Sequence, residues 1–388
     1  MQSPLCSKLT LPPTLNLKTS LLTSIFIVIH LGTTRGGTLV MARKFLCYLT
    51  VLISAISTPV FATDNQELVF LTWSEYIDPE IVSEFEAKHG IKVNFVYFES
   101  DEARDRLMVE TDAKGYDLIL VNGSSLAAYD KRGWLAPVNQ SYAENIKHID
   151  QTWLNKYPSA MDRAAPYFWG TLGIVYRADH VKEPFTHWKQ LFEPDETLKG
   201  KIVIINDSRE IIGMALKSLG YSFNSSSSDE LNEAKRLLLN QKPFVYEYSY
   251  PILTEESTLI TGEISAAMVY SGDALALQEH SDDIEYVVPQ EGTSLWIDFI
   301  TVSQNSKNKH AAYKFINFLN QPEISARNAE YVYFATPNKA AESLLPKDFL
   351  SNTSIYPAQD VIDLSEFESN ISARGLKKRN SIYQRVVE

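Results

Sequence analysis

Between residues 66 and 131 short apolar runs alternate with amphipathic segments, and this alternation limits the fold more than any other feature. "ELVFLTW" (67–73), "IKVNFVYF" (91–98) and "YDLILVN" (116–122) are short and rich in β-branched and aromatic residues, so they read as strands. Between them lies "DPEIVSEFEAKHG" (78–90), with Asp78 placed to cap, Pro79 at the first helical position and Gly90 as the stop. "SDEARDRLMVETDAKG" (100–115) is a second helix with acids early, and "SSLAAYDKRG" (124–133) a third. Strand, helix, strand, helix, strand at this spacing predicts a parallel sheet wound with helices. In such sheets ligands lie beyond the carboxyl ends of the strands. "TWSEY" (72–76) and "NGSS" (122–125) both fall at such ends.

A second α/β pattern begins near residue 170. "WGTLGIVYR" (169–177) reads as a strand. "GKIVIINDSREIIGMALKSLGYS" (200–222) is a strand followed at once by a helix that stops at Gly220. "TLITGEISAAMVYSGDALALQEH" (258–280) contains a strand, a turn and a helix. "SLWIDFITVS" (294–303) is another strand and "HAAYKFINFLNQP" (310–322) an amphipathic helix. At 388 residues the chain is too long for one core and suits two domains.

The start of the chain has a different character. Met41-Ala42-Arg43-Lys44 is basic, "FLCYLTVLISAIS" (45–57) is apolar, and "TPVFA" (58–62) ends in a small residue. That order predicts a secretory signal over 41–62 with cleavage after Ala62. Residues 1–40 are expected to be an over-extended start, with Met41 the true one. Both cysteines, Cys6 and Cys47, precede residue 63, so the exported part carries no disulfide framework. Five of the 36 Lys and Arg lie before residue 63 and none of the 48 Asp and Glu. The remainder holds 31 basic and 48 acidic residues, a formal net of −17. This argues against nucleic acid as a partner and suits a cationic ligand. The expected location is the periplasm.

Eight stretches, in order and at matching spacing, carry a family resemblance. They are "WSEY" (73–76), "FESDE" (98–102), "YDL" (116–118), "PYFWGTLGIVY" (166–176), "DSREIIGMALKSLGYS" (207–222), "LWID" (295–298), "INFLNQPE" (316–323) and "ATPN" (335–338). Through them the chain resembles the periplasmic spermidine/putrescine-binding proteins, a branch of the two-lobed solute-binding receptors, from about Leu68 to Tyr383. The resemblance implies an α/β, two-lobed periplasmic-binding-protein fold. Each lobe would be a mainly parallel sheet flanked by helices, hinged around a central cleft. Lobe one would comprise 64–171 plus 297–345, and lobe two 172–296 plus 346–388.

It also implies where a polyamine would lie. Trp73 and Tyr76 match aromatic contacts, Asp207 and Glu210 the acids at one end, and Trp296 and Asp298 an aromatic wall and a second anionic anchor. Four positions depart from the family pattern: Ser124 and Phe334 each replace a Tyr, Tyr270 replaces a Trp, and Glu368 replaces a Gln. These changes would retune which polyamine fits, norspermidine being one candidate. The partner implied is an inner-membrane signalling protein, for example one controlling cyclic-di-GMP and biofilm formation, or an ABC permease.

The chemistry agrees with the resemblance without depending on it. A polyamine is a flexible chain of spaced ammonium groups, which calls for spaced carboxylates and flat apolar walls. Each feature also has a plainer reading. Asp207 and Glu210, three apart at a helix start, fit a capping box. Trp73 and Tyr76 fit packing between lobes, and Glu368 fits a solvated surface acid. Trp296 and Asp298, two apart on a strand, point to the same face. No Gly-x-Ser-x-Gly, P-loop or zinc-type His spacing occurs, so neither an enzyme, a cofactor nor a metal site is expected. The alternative is a receptor for another small cationic or sugar ligand in ABC uptake.

Overall fold

The computed structural model describes residues 66–369 and 371–388. The expected over-extended start (1–40) and signal segment (41–62) lie outside the described residues. No helix among the described residues is long and apolar enough to cross a membrane.

The first α/β run forms as its punctuation requires. Strand β1 (Gln66–Thr72) leads to helix α1 (Pro79–His89), capped by Asp78, which accepts from the Glu80 amide at 2.8 Å, and closed by Gly90 at φ 65°. Strand β2 (Ile91–Tyr97) leads to α2 (Asp101–Thr111), where Ser100 caps the Ala103 amide. This helix ends before the expected "DAKG" stop, because Asp112 and Ala113 already take left-handed backbone, at φ 52° and 54°. Strand β3 (Leu118–Asn122) passes directly into α3 (Gly123–Lys131).

The second run holds β4 (Ala164–Arg177), β5 (Ile202–Ile204), α4 (Ser208–Ser218), α5 (Ser228–Gln241) and β6 (Val245–Tyr248). Then come β7 (Ala266–Tyr270), α6 (Ser271–Gln278), β8 (Ile284–Val287) and β9 (Ser294–Val302). Helices α7 (Lys309–Leu319) and α8 (Pro322–Val332) follow, with the short β10 (Glu366–Phe367) and α9 (Ala373–Val387) near the end.

The strands join in the order β2-β1-β3-β9-β4-β7-β5-β6, with β10 beside β9 and β8 beside β4. The wings, β2-β1-β3 and β7-β5-β6, are parallel as the alternation predicts. The centre is antiparallel: β9 runs against both β3 and β4, and β4 against β7 and β8, so the sheet is mixed. This has a geometric result. Strand β4 runs in the same sense as β1 and β3 but opposite to β5 and β7. The carboxyl ends of the two parallel wings therefore point at each other, near Gly170–Leu172 of β4.

The core changes over at the same place. Leu68, Phe70, Leu118, Leu120, Trp169, Phe299 and Phe315 belong to one apolar cluster. From Leu172 onward β4 feeds two others, one on each face: Leu172, Ile174 and Tyr176 into a cluster with Ile212 and Leu238, and Val175 into one with Val269 and Leu277. That alternation is the two-residue period of a strand buried on both sides. Ile355, Phe349 and Tyr356 pack with the first cluster, although the expected division puts residues 346–388 in the second lobe. Only the final helix, through Ile382 and Val386, returns to the second.

One buried side chain ties the first wing together. Asp117 accepts from the Val69 amide of β1 at 2.9 Å and from Ser306 Oγ, just before α7, at 2.6 Å. Removing it orphans a buried donor, which costs about 1–3 kcal/mol. Asp117→Ala should lower the melting temperature by several degrees while leaving the residues at the strand ends in place. A variant melting with the parent protein would remove Asp117 from that role.

Candidate functional site

The site is built where the two wings meet. Its floor is one face of β9. Ser294, Trp296 and Asp298 alternate with Leu295, Ile297 and Phe299, so the first three share a side and the others enter the core. In the sheet Trp296 lies opposite Gly170 of β4, and Asp298 opposite Asn122 at the end of β3. A Cβ at Gly170 would sit 2.6 Å from the Trp296 ring, so the indole lies flat against bare backbone.

Aromatic rings continue from that floor in an unbroken row. Trp296 meets Tyr270, at the end of β7, edge-on at 5.8 Å, and Tyr270 stacks on Tyr250 at 6.0 Å. On the other side Trp296 meets Phe334 at 4.9 Å, and Phe334 meets Tyr76 at 5.8 Å. Phe334 is fixed by close packing, since a Cβ at Gly272 would fall 2.6 Å from its ring. The Trp73–Tyr76 turn is held from behind. Tyr167 Oη donates to the Tyr76 carbonyl at 2.9 Å, Asn328 Nδ2 donates to Tyr167 Oη at 2.8 Å, and the Asp78 amide donates to Asn328 Oδ1 at 2.9 Å. Trp73 packs on Phe98 at 4.3 Å.

Carboxylates stand at both ends of this row. Asp298 is buried and accepts from Tyr76 Oη at 3.2 Å. Burial, and then the charge of Asp101, push its carboxyl up to about 7, while Arg104, Tyr76 and Trp73 pull the other way. Asp207 caps α4, accepting from the Arg209 and Glu210 amides at 2.7 and 3.0 Å. Both bonds go to Oδ1, and burial still raises the Asp207 carboxyl to about 6. The capping reading is thus true of Asp207, but the reciprocal half of a capping box is not made. Glu210 turns away from the Asp207 amide, and its Oε1 accepts from Ser294 Oγ at 3.0 Å. Burial, with Asp207 and Glu368 nearby, holds Glu210 well above the ordinary carboxylate range. Glu210 Oε2, Trp296 Nε1 and Ser271 Oγ are buried with no partner among the described residues.

Ser124 and Glu368 form a third group around a cation. Arg209 Nη1 lies 2.6 Å from Glu368 Oε1 and donates to Ser124 Oγ at 3.0 Å. Glu368 is therefore paired rather than solvated, and burial outweighs Arg209 in setting its raised carboxyl. All ten residues singled out in the sequence thus lie around one changeover point.

Sequence reasoning missed several neighbours. Asp101 is bound by Arg104 at 2.5 Å and by Asn122 Nδ2, and its charge acts on Asp207, Asp298 and Glu368. It lies within the quoted "FESDE", yet reads there only as an early helix acid. Arg209 lies inside "DSREIIG" and gives no sign of which way it turns. Tyr157, whose Oη donates to the Glu368 carbonyl at 3.3 Å, carries no signal at all. Asp273 accepts from Tyr250 Oη, and burial raises its carboxyl to about 6.

With this geometry in place, comparison with known proteins is specific. A family model described as bacterial extracellular solute-binding protein matches residues 80–357. The spermidine/putrescine-binding periplasmic protein of Escherichia coli (strain K12) is 30% identical over 329 residues, covering 83% of this chain and 91% of the relative. A norspermidine sensor of Vibrio cholerae is 29% identical over 348 residues, covering 89% and 94%. The crystal structure of the spermidine/putrescine ABC transporter substrate-binding protein PotD from Streptococcus pneumoniae superposes with a TM-score of 0.73 at 30% identity, over 83% of this chain and 98% of that one. The fold is that of the periplasmic binding proteins, and the chain belongs to the bacterial extracellular solute-binding protein family.

Proposed function

We propose that this protein is a periplasmic polyamine receptor of the spermidine/norspermidine class, not an enzyme. The observation that carries this reading is the pair of buried carboxylates, Glu210 and Asp298, at opposite ends of the β9 face that carries Trp296. They are reached from Ser294 and from Asp298 itself, four residues apart on β9, which is roughly 13 Å along an extended strand. That span suits a chain carrying separated charges rather than a single ammonium. Charge-assisted hydrogen bonds contribute about 1.5–3 kcal/mol each, and an ammonium over an indole face about 0.5–2 kcal/mol. The alkyl segments would lie along Trp296, Phe334 and Tyr270. The relatives named for spermidine, putrescine and norspermidine support the same ligand class.

The lobes in this reading follow the expected division, except that Phe349, Ile355, Tyr356, Ile362 and Phe367 pack with lobe one. The ligand bridges them and shifts the balance between open and closed forms toward closed. A membrane partner then reads the closed shape. Relatives include both a transporter's binding protein and a sensor, and we take the partner to be an ABC permease or an inner-membrane signalling protein, for example one controlling cyclic-di-GMP and biofilm formation. The four departures from the uptake pattern, at Ser124, Tyr270, Phe334 and Glu368, incline the reading to sensing.

Glu210→Gln and Asp298→Asn should each weaken spermidine or norspermidine binding by more than about tenfold, or about 1.4 kcal/mol, with the fold intact by circular dichroism. Trp296→Ala should do likewise through lost stacking. Titration calorimetry giving parental affinity for both acid variants would take these residues out of the site.

The raised carboxyls also give a pH dependence with a definite sign. Folding raises Asp298 to about 7 and Asp207 to about 6, above their unfolded values of about 4. The folded state therefore keeps protons that the unfolded chain releases, and this contribution to stability is lost as pH rises through those values. The ligand-free melting temperature should fall between pH 5 and pH 8, and less so in Asp298→Asn. Ammonium groups need the ionised carboxylate, so polyamine affinity should rise over the same range, with proton release near pH 6.5. Calorimetry in buffers of different ionisation enthalpy measures that release. Affinity independent of pH, with no protons released, would contradict the assignment.

A further inference from the structure

Arg209 occupies an electrostatically unfavourable place. It is the second residue of α4, an 11-residue helix, and its guanidinium reaches Ser124, the second residue of α3. Two helix amino termini, both positive ends, converge on this cation. It is held there by acids. Glu368 lies at 2.6 Å, and the charges of Glu368, Asp207 and Asp101 outweigh the burial that would otherwise lower the guanidinium. Helix α4 packs in the second apolar cluster, whereas Leu126 of α3 packs in the first. Arg209 therefore spans the changeover.

The carboxylates then fall into two sets. Glu368 is matched by Arg209, and Asp101 by Arg104. Asp207, Glu210, Asp273 and Asp298 have no Lys or Arg side chain within ion-pairing distance among the described residues. From this we infer that Arg209 is a specificity-determining residue: with Glu368 it forms a built-in ion pair that withholds this carboxylate from the ligand, so that the cage takes polyamines of fewer charges in preference to longer ones. A further ammonium group would meet the guanidinium where a free carboxylate would otherwise receive it. Arginine suits this role better than lysine, because it stays charged when buried.

This inference rests on the polyamine reading and deepens it, and one experiment separates the two. Affinities of putrescine, spermidine and spermine, with two, three and four charges, are measured on the parent protein, Arg209→Gln, Glu368→Gln and the double variant. In the parent, spermidine should bind more tightly than spermine. Arg209→Gln frees Glu368 and should move the spermidine-to-spermine preference toward spermine by at least about tenfold, or about 1.4 kcal/mol. Glu368→Gln leaves the cation unmatched and should weaken all three, most for spermine. The double variant should return the preference to within about threefold of the parent, the coupling expected of one interacting pair. It also serves as the folded control if either single variant melts early. A parent protein that binds polyamines, with a preference unmoved in both single variants and in the double, would overturn the role of Arg209 and leave the cage standing. A parent that binds none of the three would overturn both.

Discussion

A carboxylate taken out of water without a cation is costly, and the centre of this protein is organised around that cost. Asp298 and Glu210 are held in an apolar, ring-lined space where burial pushes both toward the protonated form. A structural role alone would be served as well by an amide or an apolar side chain. In the reading proposed above, what keeps acids useful there is a ligand that brings positive charge and leaves with it. The empty and filled states would then differ in how many protons and ammonium groups the site holds.

The sheet makes this arrangement available. A wholly parallel sheet would send all its carboxyl ends to one edge. Here three antiparallel pairings, β3 with β9, β9 with β4 and β4 with β7, bring a second parallel wing head-on against the first. The chain thus brings Ser124, Asp207 and Tyr270, each at or just past the end of a parallel strand, to one place, with β9 passing beneath them. The helix amino termini that follow those strands are positive, which favours acids such as the Asp207 cap and makes an arginine there conspicuous.

Much of this was legible in residue patterns. Strand and helix alternation up to residue 131 is a local signal, written in caps such as Asp78 and Gly90, and it survives into the structure almost unchanged. The shared face of Trp296 and Asp298 follows from a period of two. The antiparallel centre was not legible, because strand direction in a sheet depends on which distant partner a strand meets, and "SLWIDFITVS" reads alike in either sense. Side-chain direction was equally hidden. Glu210 looks like half of a capping box and instead bonds Ser294, 84 residues away. Glu368 looks like a surface acid until Arg209 is seen to reach it.

The alternation along β9 has a consequence for how this protein can change over time. Ser294, Trp296 and Asp298 face the proposed ligand space, while Leu295, Ile297 and Phe299 face the core. A point substitution on the first set alters what is held and leaves the interior untouched. A one-residue insertion or deletion within the strand would exchange the two sets, sending an acid into the core and a phenylalanine into the cage. Under the proposed function, ligand preference would be free to drift by replacement along β9, while the length of that strand would be fixed.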